Sequence, residues 1–147
     1  MSTIHVEVSA IIPARPETIY AILADYRVGH PAILPKPYFT ALVLEQGGQG
    51  AGTVIQVHMS VMGARRRYHM TVSEPEPGRV LVETDAEAGV VTTFTVEPAG
   101  SGEQARVTIA TDSPGGSALE RWITPVVTRR IYRKELAQLA AFVRAEA

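Results

Sequence analysis

The chain has 147 residues and a mass of 15.9 kDa, the size of one domain spanning 1–147. Apolar residues make up 46% and charged residues 20%, and the net charge is −1 with a pI near 6.4, which excludes a disordered polar chain and gives no electrostatic basis for binding nucleic acid. There is no cysteine, so thiol nucleophiles, disulfides, iron–sulfur clusters and cysteine-ligated zinc are all excluded.

The chain opens on MSTIHVEVSA, which lacks the basic and apolar regions of a targeting signal. No window approaches the roughly 20 apolar residues of a membrane-spanning helix. These features predict a cytoplasmic protein without stable membrane insertion. Ile4, Val6, Val8 and Ala10 alternate with His5, Glu7 and Ser9, the period of a half-buried strand, and Pro13 stops it. Pro16-Glu17-Thr18 then starts a short amphipathic helix carrying Ile19, Ile22, Leu23 and Tyr26. Gly29-His30-Pro31 breaks that helix. The Pro-rich run 31–37 reads as a loop, with at most one helical turn around Ala32–Leu34.

From Thr40 to Asp112 the pattern is strands separated by Gly-containing turns. Ala41–Glu45, Thr53–Val61, Arg66–Ser73, Arg79–Thr84, Val90–Glu97 and Ala105–Thr111 form an antiparallel meander. Pro114-Gly115-Gly116 separates it from a long apolar-striped helix, Ser117 to about Glu146, which Pro125 either kinks or breaks with Thr124 as a cap. One long helix must cover a six- or seven-stranded sheet. A curved sheet wrapped around that helix solves the burial problem. The 19 Ala and 17 Val against 3 Phe and 1 Trp fill such a grip poorly, which implies an internal cavity.

Five segments in order resemble the START-related SRPBCC superfamily, in its polyketide cyclase/dehydrase-like branch. They are VEVSAIIPARPETIYAILADY (6–26), GGQGAGT (47–53), EPEPGRVLVET (74–84), VTTFTVEPAGSGEQARVTIAT (91–111) and RIYRKELAQL (130–139). The resemblance implies an α+β helix-grip fold: six to seven antiparallel strands around a long C-terminal helix, with one or two short helices after the first strand. It also implies an apolar cavity for a lipid, quinone or polyketide-like molecule.

The third and fourth strands locate the candidate ligand contacts. With Gly63-Ala64 as a two-residue loop, Met59 faces Tyr68, Val57 faces Met70 and Ile55 faces Val72 on the concave side. The other side then sets His58 beside His69. Two imidazoles without a neighbouring Asp or Glu fall short of a metal site, so no metal and no cofactor is expected. His30, in the Pro-rich segment, is a candidate acid or base at the cavity mouth, but the favoured reading is a solvated loop histidine. No serine has an evident His and Asp partner, and the Gly cluster at 47–52 lacks the Lys-Ser/Thr of a phosphate loop. No residue therefore stands out as catalytic. Met59, Tyr68, Met70, Phe94, Trp122 and Val126 are expected to face the interior and contact a ligand, with Tyr38 at the entrance. Arg65–Arg67 and the basic residues of the last helix read as solvated charge, without base-stacking aromatics. The expected partner is a small hydrophobic molecule. A polyketide cyclase or aromatase is the rival reading, distinguished by a titratable pair facing the cavity. A protein- or membrane-interaction module without a ligand is the third.

Overall fold

The computed structural model describes residues 3–116 and 118–146, with the backbone alone over 118–123, so the expectation for Trp122 lies outside the described side chains. The first strand, β1 (Thr3–Ile12), buries Ile4, Val6 and Ile12 and exposes His5 and Glu7, following its sequence alternation. Helix α1 (Pro16–Ala24) has Pro at its first position and Glu17 in its first turn. It buries Ile19, Tyr20, Leu23 and Ala24.

The Pro-rich run has its helical turn, but three residues earlier than the Ala32–Leu34 expected from sequence. A second short helix, α2 (Gly29–Ile33), begins where the sequence suggested a break. Pro31 falls in its first turn, where a missing N–H costs nothing. Asp25 organises the entry: its carboxylate accepts from the backbone N–H groups of Arg27, Val28 and Gly29, and its carbonyl from that of His30. Gly29 is required by contact, since a Cβ there would stand 2.5 Å from the Ile22 carbonyl oxygen. That close approach seats His30 beneath α1, buried rather than solvated.

Six further strands follow: β2 (Phe39–Gln46), β3 (Val54–Val61), β4 (Ala64–Glu76), β5 (Val80–Asp85), β6 (Val90–Ala99) and β7 (Gln104–Pro114). They form one antiparallel seven-stranded sheet in the order β1-β7-β6-β5-β4-β3-β2, a meander onto whose last strand β1 docks.

The β3–β4 hairpin differs in register from the sequence reading. Val61 pairs with Ala64, so the loop is Met62-Gly63 rather than Gly63-Ala64. Both loop residues have positive φ, 50° and 80°, as a type I′ hairpin turn requires. Met is an unusual occupant of that conformation, which hid the turn. The slip is two residues, and an even slip keeps every side chain on its face. Ile55, Val57 and Met59 still share the concave side with Tyr68, Met70 and Val72. On the other side His58 pairs with Arg67 and His69 with Gln56, so the two histidines are not directly opposed. His69 does have a carboxylate neighbour, Glu45 on β2, at 2.9 Å. Among the described residues no group of three or more His, Asp or Glu side chains is arranged to hold a metal ion.

Helix α3 (Ala118–Glu146) runs through Pro125 as one element, so the helix does not break there. It packs on β1 and α2. Its C-terminal half buries Leu136, Leu139 and Val143 in the core with Ile12, Leu23, Leu81, Phe94 and Ile109. Each such side chain contributes about 1.5–3 kcal/mol. The half from Thr124 to Glu135 stands over a cavity instead. No described helix is long and apolar enough to cross a membrane.

Candidate functional site

The cavity lies between the concave face of the sheet and α3 and has a volume of about 310 Å³, within the range of small-molecule sites. Strand periodicity builds its walls. Ile55, Val57 and Met59 on β3, Tyr68 and Met70 on β4 and Phe94 on β6 all project inward. The exposed lining residues Met62, Ala64 and Arg66 mark the open end. Burial raises the pKa of the Tyr68 hydroxyl above its ordinary value, so it enters the cavity as a neutral phenol.

The closed end is polar. Sheet register places Glu83, Thr92 and Thr111 in one row across β5, β6 and β7. The row is buried, and the three residues line the cavity. Tyr132 and Glu135, three residues apart on α3, face it from the helix side. The Thr92 and Thr111 hydroxyls are 2.8 Å apart, and Thr111 in turn hydrogen-bonds the Tyr132 hydroxyl.

His30 closes the end from α2. Its Nδ1–H donates to the Leu23 carbonyl at 2.7 Å, which leaves Nε2 pointing at Glu83 Oε2, 3.5 Å away. The imidazole stacks on Tyr26 with ring centroids 4.6 Å apart and meets Phe94 edge-on at 5.2 Å. The Tyr26 hydroxyl donates to the same Glu83 oxygen at 2.7 Å. Burial, then the charge of Glu83, raises the Tyr26 hydroxyl well above the usual phenol range. Glu135 is 2% exposed, and its Oε2 has no hydrogen-bond partner among the described residues. Burial raises its carboxyl well above the usual carboxylate range, and Glu83 adds to the effect.

Of the residues singled out from sequence, Met59, Tyr68, Met70 and Phe94 line the cavity. Val126 does not: it is 63% exposed, while Thr124, Val127 and Thr128 of the same helix line the space. Tyr38 is half-buried outside the lining, with the Lys134 ammonium 5.5 Å from its ring. At the polar end the sequence reading had only His30, as its less favoured alternative, and missed Glu83, Thr92, Thr111, Tyr132 and Glu135. A usable signal existed for Glu135, which stands four residues after Ile131 and four before Leu139, inside the apolar stripe. None existed for Glu83, because β5 carries apolar residues on both faces.

The sequence profile of the family described as "Polyketide cyclase / dehydrase and lipid transport" matches residues 3–144, nearly the whole chain. The chain belongs to this family. Among solved structures, this family member is similar to the KanY protein, at 28% identity and a TM-score of 0.85, covering 98% of this chain and 99% of that one. A START superfamily protein from Mycobacterium smegmatis is 13% identical with a TM-score of 0.75, covering 97% and 99%. The Zhui aromatase/cyclase from Streptomyces sp. R1128 is 15% identical with a TM-score of 0.74, covering 97% and 94%. The latter two likenesses show the shared helix-grip fold. No curated protein matches the chain.

Proposed function

We propose that this family member binds one small, largely apolar molecule in the cavity, with the polar part of that molecule at the His30–Glu83–Glu135 end. The carrying observation is the cavity itself: apolar along the sheet, open at Met62 and Arg66, and closed by a few convergent polar groups. The same reading makes it a cytoplasmic protein with no nucleic-acid partner, in keeping with its near-neutral charge. Met59, Tyr68, Met70 and Phe94 are the proposed apolar contacts.

The test is solvent extraction and mass spectrometry of the purified protein, paired with calorimetric titration of a two-ring hydrocarbon, 2-ethylnaphthalene. Saturable binding at one molecule per chain, abolished when Val57→Trp fills the cavity, supports the reading. Absence of binding, or binding indifferent to Val57→Trp, overturns it.

Acid–base catalysis on the bound molecule, as in a cyclase, is the second reading. It is favoured by one observation: His30, Glu83 and Glu135 are three titratable side chains on one cavity end. A general acid or base must reach the reacting group within hydrogen-bond distance, and these groups face the same space. Extracts of Glu83→Gln and wild-type protein separate the readings. Different bound molecules in the two indicate turnover, and the same molecule in both indicates binding alone.

A further inference from the structure

We propose that the Glu135 carboxyl is a recognition subsite for a hydrogen-bond-accepting oxygen, of the ketone or aldehyde class, on the molecule that occupies this cavity. The inference rests on the binding reading above. It starts from an imbalance at the closed end. Glu83 Oε2 has the Tyr26 hydroxyl, His30 Nδ1 has the Leu23 carbonyl, and Thr92, Thr111 and Tyr132 satisfy one another. Glu135 lines the same space, is almost wholly buried, and its Oε2 has no such partner among the described residues. An orphaned buried polar atom costs about 1–3 kcal/mol in the folded state, a cost a complementary group removes.

The protonation state sets what that group is. The groups sharing the cavity end with Glu135 are Glu83 from β5, His30 from α2 and Tyr132 one turn back on α3, with the Tyr26 hydroxyl behind them on Glu83; Arg66 stands at the open end. Burial first, and then the charge of Glu83, both favour the neutral form of the Glu135 carboxyl. A neutral carboxyl offers an O–H donor, and its complement is an acceptor without a proton of its own. A ketone or aldehyde oxygen on an apolar skeleton has that character. An ammonium group would instead require Glu135 to ionise.

Three probes with nearly the same skeleton distinguish these cases: 2-acetylnaphthalene, 2-ethylnaphthalene and 1-(2-naphthyl)ethylamine, titrated calorimetrically at pH 7 into wild type, Glu135→Leu and Glu135→Gln. The expected result is that Glu135→Leu weakens the ketone about threefold to tenfold, the range of one neutral hydrogen bond, and leaves the hydrocarbon as tight or tighter. Glu135→Gln, which keeps an N–H donor, recovers part of the ketone affinity. In the infrared, the protonated-carboxyl C=O stretch of wild type shifts on adding the ketone and not the hydrocarbon. Removing an unpaired buried polar group does not impair folding, and thermal melts of both variants check this. Equal changes for ketone and hydrocarbon overturn the subsite and leave the cavity reading standing. Tightest binding of the amine overturns it in favour of a cation site. Failure of all three probes to bind wild type overturns it together with the cavity reading.

Discussion

Glu135 and His30 are where single side chains say most about this protein. A buried carboxyl whose pKa is raised destabilises the fold as pH rises. Above about 4.3 the unfolded chain releases the proton that the folded chain still holds. The stability of wild type relative to Glu135→Gln is therefore greatest below pH 4 and falls as the pH rises toward the folded-state pKa. Urea denaturation of both proteins at pH 4 and pH 8 checks the sign: the variant gains on wild type at pH 8, and a gap independent of pH would show that Glu135 ionises freely. His30 is a structural as well as a chemical element. It is stacked, hydrogen-bonded and 2% exposed. His30→Ala should cost about 2–4 kcal/mol in denaturant unfolding, whereas a solvated loop histidine would stay within about 0.5 kcal/mol. Tyr26→Phe leaves Glu83 without its hydroxyl partner and should cost about 1–3 kcal/mol.

At the scale of elements, strands with one apolar face were readable from period-two alternation, and β1 and β3 follow it directly. Elements whose conformation is set by contacts were not. The α2 helix starts two residues before the proline-rich run, and its entry is fixed by contacts that no local pattern shows, the carboxylate of Asp25 and the closeness of Gly29 to Ile22. With the helical turn expected at Ala32–Leu34 instead of Gly29–Ile33, His30 fell in the break before it and looked solvated. The β3–β4 turn was misplaced because Met62 occupies a left-handed position that sequence statistics assign to Asn or Gly. Met62→Asn should accordingly raise stability by roughly 0.5–1 kcal/mol, measured by denaturant midpoint at unchanged m-value. A loss would mean that the exposed methionine makes contacts worth more than its backbone strain. The apolar half of the site was legible because it follows strand faces. The polar half depends on aligning one residue from each of β5, β6 and β7 beneath α3, an alignment only the assembled sheet creates.

Over the whole molecule, the arrangement divides labour along one helix. The C-terminal half of α3 closes the core through Leu136, Leu139 and Val143, while Thr124 to Glu135 roofs a space the sheet leaves open. Membership of the polyketide cyclase / dehydrase and lipid transport family and the helix-grip fold both suit a container of this kind. Fold alone does not select its contents. Occupancy has a thermodynamic signature: a ligand that binds only the folded protein adds about 2.7 kcal/mol of stability at a hundredfold excess over its Kd.

The most direct measurement is a methyl NMR titration of protein labelled at methionine. The chain has four methionines, of which Met59 and Met70 line the cavity walls and Met62 marks its open end. On adding 2-acetylnaphthalene, the Met59 and Met70 methyl signals should shift and saturate at one molecule per chain. If those two signals stay fixed while only Met62 moves, the molecule binds at the surface and the cavity is not the site.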